Sequence, residues 1–308
     1  MHLVDEVLPK VAMRQWVLTV PWELRARLGY DRRACALMCR AFSQALHQHL
    51  RRKAKQQLTL RSVTEAHPGS VTFVQRCDAS LRLSPHLHTL ALDGVYVRDD
   101  DGELVFHELG DPDDEDVTAI AEQVAERVLG HLELDDADAV MADEPLLAHC
   151  LGASATGTDA LGPRRGKPAL RLVDPRRVRP QSEGPARGLH RGFAVYADRG
   201  FDGNDRQRLF RMCRYLARPP VAKERVSVLS DGRVCYRLKQ PFRDGTTAVV
   251  LSPVDFIGRL AALVPPPRFH LVRYAGVLSS HSSLRPKVVS SGQPKLQRPR
   301  LSHPVRPA

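Results

Sequence analysis

Apolar positions recur at two periods along the chain, and the two periods divide it into alternating strand and helix signals. An apolar run, WVLTVP, within residues 12–28 reads as a strand. From Arg32 to Lys55, Ala36, Leu37, Cys39, Phe42, Leu46 and Leu50 recur three or four residues apart, the stripe of a helix with one buried face. That helix ends in RRKAK, and cations suit the negative end of a helix dipole. Val71, Phe73 and Gln75 then alternate as one face of a strand. A second strand is predicted over residues 86–97, where His86, His88, Leu90 and Leu92 share a face, because successive strand side chains point to opposite sides. The Asp101-Gly102 pair between two β-rich runs predicts a hairpin. The acid-led segment after it becomes an amphipathic helix. Residues 152–188, rich in Gly, Pro and Arg, carry neither period and read as a long loop or flexible insertion. The strand GFAVYADR follows, then a helix that starts at Asn204 or Asp205 and stops at Pro219-Pro220. Further strands flank Asp231-Gly232 and Asp244-Gly245, and a short helix, PVDFIGRLAAL, ends at prolines. This order, with hairpins in place of strict βαβ repeats, predicts an α+β fold around a mainly antiparallel central sheet flanked by helices.

Composition narrows the picture. Of 308 residues 43% are hydrophobic, enough for a large core. No apolar run approaches the length of a membrane span, and no basic start followed by an apolar block marks a secretory signal, so a cytoplasmic protein is expected. The six cysteines are scattered without a C-x2-C pair, which predicts reduced thiols and no zinc ribbon. The net charge of +11 is uneven. Residues 99–144 hold 18 acids and one base, Arg127, leaving 17 acids against 45 bases elsewhere. A basic body with one acidic module suggests a polyanion such as nucleic acid, although an arginine-rich codon usage would also give it. Beyond about His281 the chain is rich in Ser, Pro and Arg and predicts a basic disordered tail over 281–308.

Two constellations carry candidate chemistry. His86 and His88, at i and i+2 on one strand face, can both reach a single divalent ion such as Mg²⁺ or Mn²⁺; a partly exposed strand face would show the same pair by chance. Gln207, Asp93 and His107 are candidate third ligands, with Asp93 on the opposite strand face from the histidines. In the helix after Asp205, Leu209, Met212 and Leu216 make a core stripe, while Arg208, Arg211, Tyr215 and Arg218 make an outer row. Arginine forks suit phosphate oxygens, and a phenol among them is a base-stacking platform, a nucleophile on phosphorus, or a surface tyrosine lying over apolar neighbours.

SPHLHTLALDGVYV resembles the His-hydrophobic-His (HUH) signature of rolling-circle nucleases and transposases. Together with VLPKVAMRQWVLTVPWELR, VTFVQR, RMCRYLARPPVAKERV, GRVCYRLKQPFRDGTTAVVLSP and AALVPPPRFHLVRYAGVLSSHSSLR, in that order, it is similar to bacterial rolling-circle insertion-sequence transposases from about residue 3 to 285. The resemblance implies an HUH-type catalytic domain over 1–225, with the acidic module at 99–144, and a β-rich extension over 226–280. It implies that His86 and His88 hold the divalent ion, that Tyr215 attacks the phosphodiester of single-stranded DNA to leave a 5′-phosphotyrosine, and that Arg208, Arg211 and Arg218 bind phosphate. Arg211 stands where some relatives carry a second tyrosine, so a one-tyrosine chemistry is implied. The family's N-terminal cysteine-rich zinc module has no counterpart here, which implies a shortened copy. The competing expectations are a catalytically inactive, basic DNA-binding remnant and, outside transposition, an RNA-binding regulator.

Overall fold

The computed structural model describes residues 2–132, 144–178, 186–219, 221–290 and 296–297. The fold is α+β. Its centre is a six-stranded, wholly antiparallel sheet built from β1 (Met13–Thr19), β2 (Gly69–Cys77), β3 (Leu83–Leu92), β7 (Ala186–His190), β8 (Phe193–Ala197) and β12 (Val272–Gly276), in the order β12-β2-β3-β1-β8-β7. Both faces of this sheet are covered, and that explains why its inner strands read as near-continuous apolar runs. One face packs beneath α3 (Arg32–Gln57) and α4 (Asp114–Leu132), around Trp16, Leu18, Phe42, Leu46, Leu87, Ala91 and Val195. The other packs beneath α1 (His2–Glu6) and α6 (Arg206–Leu216), around Met13, Val71, Phe73, Leu90, Leu92, Leu209 and Cys213.

The expected strand over 86–97 is two strands. β3 stops at Leu92, and β4 (Gly94–Arg98) turns away to pair with β5 (Leu104–Glu108) across the Asp101-Gly102 turn. Asp93 is the break. Both its oxygens are taken by the buried Arg14, which donates from Nε at 2.8 Å and from Nη2 at 2.7 Å and also reaches Asp111. A charge pair at that depth, joined at both ends, fixes the corner where the chain leaves the central sheet.

Residues 152–188 also differ from the expected loop. They include the end of α5 (Pro145–Thr156) and strand β6 (Leu170–Val173), while 179–185 lie outside the described residues. The pattern is silent there because α5 is apolar or small almost throughout and because β6 is a four-residue edge strand with exposed side chains. β6 joins β9 (Val226–Val228), β10 (Val234–Arg237) and β11 (Thr246–Leu251) in a second antiparallel sheet, ordered β6-β11-β10-β9. A further helix, α2 (Trp22–Tyr30), precedes α3, and the two share Asp31, whose side chain caps α3 by accepting from the Arg33 and Ala34 amides.

Arg76 ties β2 of the central sheet to two helix ends. It is buried without a carboxylate and donates to the carbonyls of Ala262, Leu263 and Val264 at the end of α7 (Pro253–Leu263) and to that of Gly29 in α2. These are the orphan carbonyls that a helix end leaves. Beyond β12, order continues through α8 (Arg285–Ser290), whose Val288 is buried in the core under α6, and Leu296–Gln297 pairs in parallel with β5. The rest of the predicted tail lies outside the described residues. No helix among the described residues is long and apolar enough to cross a membrane, and all six cysteines are unpaired.

Candidate active site

His86 and His88 lie on the sheet face that α6 covers. Leu90 and Leu92, which share their face, pack in one core with Leu209, Cys213 and Leu216 of α6. Register on this face is set by the tight turn before β3. There Asp78 Oδ1 accepts from the Ser80 and Arg82 amides and Oδ2 from Arg82 Nε at 2.7 Å. In that register His86 stands between Gln75 on β2 and Thr19 on β1, and His88 between Phe73 and Val17.

The imidazoles are 5.1 Å apart between ring centroids, inclined at 67°. The Ser84 carbonyl lies 2.6 Å from His86 Nδ1. A carbonyl only accepts, so Nδ1 carries the proton and Nε2 keeps its lone pair. His88 Nδ1 is buried with no hydrogen-bond partner. Burial, with the nearby charges of His86 and Arg218 adding to it, pushes the His88 pKa down to about 3, and burial also lowers that of His86. Both rings are therefore neutral near pH 7, the state in which imidazole binds a metal. Gln75 faces His86 across the ladder, and its Nε2 donates to the Leu216 carbonyl at 3.4 Å, leaving the amide oxygen. Two imidazole nitrogens, one of them an orphan, and one amide oxygen fit a divalent ion that completes its shell with water or phosphate oxygens. Among the described residues, no cluster of three or more His, Cys, Asp or Glu side chains offers an alternative.

The Leu216 carbonyl that Gln75 holds belongs to the last turn of α6, so the end of that helix is fixed above the histidine row. Its start is fixed as well. The Asp205 side chain accepts from the Arg208 amide at 2.8 Å, and Arg206 donates to the Leu8 carbonyl at 3.1 Å. Gly203, just before the helix, lies against the Val11 carbonyl, where a Cβ would collide with it. Tyr215 points from the flank of α6 and is 44% exposed. Two cations approach its ring, Arg218 with Cζ 4.2 Å from the ring centroid and Lys239 with Nζ 5.4 Å from it.

The outer arginine row divides along the helix. Arg218 alone of the three touches the Tyr215 ring. Arg208 stacks on Phe201 at 4.7 Å, and Arg211 lines a groove against α1 with Val4, Asp5 and Gln207. The three expected third ligands stand apart from the histidines. Asp93 is held by Arg14, five residues or roughly 17 Å along the strand from His88. Gln207 faces the α1 groove about 12 Å up the helix from Tyr215. His107 sits on the β4–β5 hairpin opposite Val95. Two residues beside the site, Gln75 and Lys239, lie within the quoted sequence blocks but are not among the expected site residues. Gln75 gives one signal, a polar side chain closing the Val71-Phe73 alternation; Lys239 gives none, since the second sheet's packing alone carries it to Tyr215.

A family model described as "Putative transposase" matches residues 69–285, which contain β2, the histidine strand, α6 and β12. No curated protein and no solved structure matches the chain.

Proposed function

The chain belongs to the family described as "Putative transposase", and from that premise we propose that it nicks and rejoins single-stranded DNA through a covalent 5′-phosphotyrosine. The observation that carries this reading is the placement of α6. The helix covers the histidine face, its last turn is tied to Gln75 across from His86, and Tyr215, in that same last turn, has Arg218 and Lys239 near its ring.

His86 and His88, with Gln75 as the third donor, would hold a divalent ion such as Mg²⁺ or Mn²⁺. A bound ion supplies Lewis-acid polarisation of a phosphoryl oxygen. The Ser84 carbonyl orients His86 for that task. Tyr215 Oη attacks phosphorus, the bond to the 3′ oxygen breaks, and the phenol proton is released as the 3′ oxygen takes one up. The products are a Tyr215–O–P bond to the 5′ side and a free 3′-OH. Attack by a 3′-OH on that bond reverses the step and rejoins a strand without an external energy source. Arg218 and Lys239 flank the ring and favour both the phenolate and the phosphate charge that develop there. The single tyrosine, with Arg211 four residues before it, fits a one-tyrosine HUH mechanism.

Incubating the protein with labelled single-stranded DNA from the element's end and Mn²⁺ tests this. A denaturation-resistant protein–DNA adduct is expected from the native chain and none from Tyr215→Phe. Equal adduct in both would remove Tyr215 from the role. DNA binding with no adduct in either would favour the inactive DNA-binding remnant.

A further inference from the structure

We propose that the groove between α3 and β12 holds a backbone phosphate of the DNA strand, on the face of the sheet opposite Tyr215. A pocket of about 520 Å³ is lined there by His47, Gln48, Arg51, Arg52 and Arg127, closed at the sheet edge by Gly276. The face is settled by pairing. Ser70, which shares a hydrogen bond with His47 at 2.9 Å, stands opposite Ala91, and Ala91 packs under α3, away from the histidines.

The lining carries only positive charge. It contains three arginines and no carboxylate, and none of the three forms an ion pair among the described residues. Arg127 is the single base in the acid-rich stretch 99–144, and it turns inward, donating to Gln48 Oε1 at 3.0 Å. Arg51 uses only its Nε, on the Ala66 carbonyl at 3.1 Å, which leaves the outer nitrogens of its fork for a ligand. On the same sheet face Arg273 of β12, paired opposite Thr72, has its Nε buried with no partner. Cys39 to Arg51 spans twelve residues of helix, roughly 18 Å. With Arg273 toward one end of that span, Arg51 and Arg52 at the other, and no acid in the pocket lining, this face suits a chain of phosphates better than one small anion.

The groove lies around an open edge of the sheet. β12 is the edge strand, and the histidine strand is two strands in from it. A strand leaving Tyr215 would pass over β12, the edge strand, to reach α3 on the other face. The inference rests on the reading that the chain handles DNA, and it adds a second DNA-binding groove far from the reacting bond.

The test measures binding, without metal and in a Tyr215→Phe background, so that cleavage plays no part. Fluorescence anisotropy with mixed-sequence single-stranded DNA compares Arg51→Gln/Arg52→Gln with Arg32→Gln/Arg33→Gln, an equal charge change at the exposed start of the same helix. The groove pair is expected to weaken binding about tenfold and to flatten the slope of log affinity against log salt by about 1.4, or 0.7 for each phosphate no longer neutralised, while the control pair does less. Equal effects in both pairs, or none, would overturn the proposal. So would a groove pair that abolishes competition by inorganic phosphate yet leaves DNA affinity intact. If the pair proves unstable, Arg52→Gln alone gives the same comparison, because Arg52 is exposed. Adduct formation in the native chain is scored separately, so the phosphotyrosine reading and this one fail independently.

Discussion

Gln75 serves two elements at once, facing His86 across the ladder and holding the α6 terminus. Replacing it with leucine keeps a side chain of similar size and removes the amide. The Mn²⁺ concentration needed for half-maximal adduct is then expected to rise about 10–100-fold, the usual cost of losing a group that ligates or orients at a metal site; a metal titration reads this directly. His47 makes a different kind of prediction. It is buried, and desolvation, with Arg51 nearby, pushes its pKa down to about 3 from an unfolded value of 6.5. Between those values the unfolded chain binds a proton that the folded chain refuses. The stability that neutral His47 permits is therefore complete above about pH 6.5 and falls as the pH drops toward 3, by up to ~1.4 kcal/mol per pH unit. Denaturant midpoints measured between pH 7 and 4 should show this slope, and His47→Gln should flatten it. The histidine pair itself is readable from the sequence because a strand has a strict two-residue period. Gln75 opposite it is not, because which residues face each other across two strands is settled by the Asp78 turn and no local pattern records it.

The helix with the tyrosine works as a positioned element, and its position depends on its ends. Asp205→Ala removes the cap on the Arg208 amide and is expected to cost about 1 kcal/mol. It should slow adduct formation while leaving the Mn²⁺ requirement unchanged, a split that single-turnover kinetics at saturating metal would show. Arg76 has the corresponding role for α2 and α7. Arg76→Leu leaves four helix-end carbonyls without their donor, and urea unfolding should register a loss of at least about 2 kcal/mol. Long amphipathic elements such as α3 and α4 are legible in the sequence, as are the three hairpin turns at Asp-Gly pairs. α5 and β6 are not, because an element that is apolar all round or short and exposed carries no period. The outer row of α6 is half legible. Helical spacing correctly groups Arg208, Arg211, Tyr215 and Arg218 on one side, but Phe201 and α1 draw the first two away from the tyrosine.

Taken whole, the molecule brings its chemistry together from distant stretches. The histidines come from β3, the phenol from α6, and Lys239 from the turn that follows β10. The central sheet is closed on one side by β12, whose Val272 pairs with Phe73 some two hundred positions earlier in the chain. Pairings of such separation form late and slowly, since a large loop must close before the pairing can stabilise it. The order of synthesis then has a consequence. A nascent chain that has emerged only as far as α7 already holds both histidines, Tyr215 and Lys239, yet β2 still presents a bare edge and the groove beside α3 lacks its second wall. The candidate site residues and the completed scaffold therefore become available at different times, and a chain released early would expose an unpaired β2 edge, where association with another copy competes with folding.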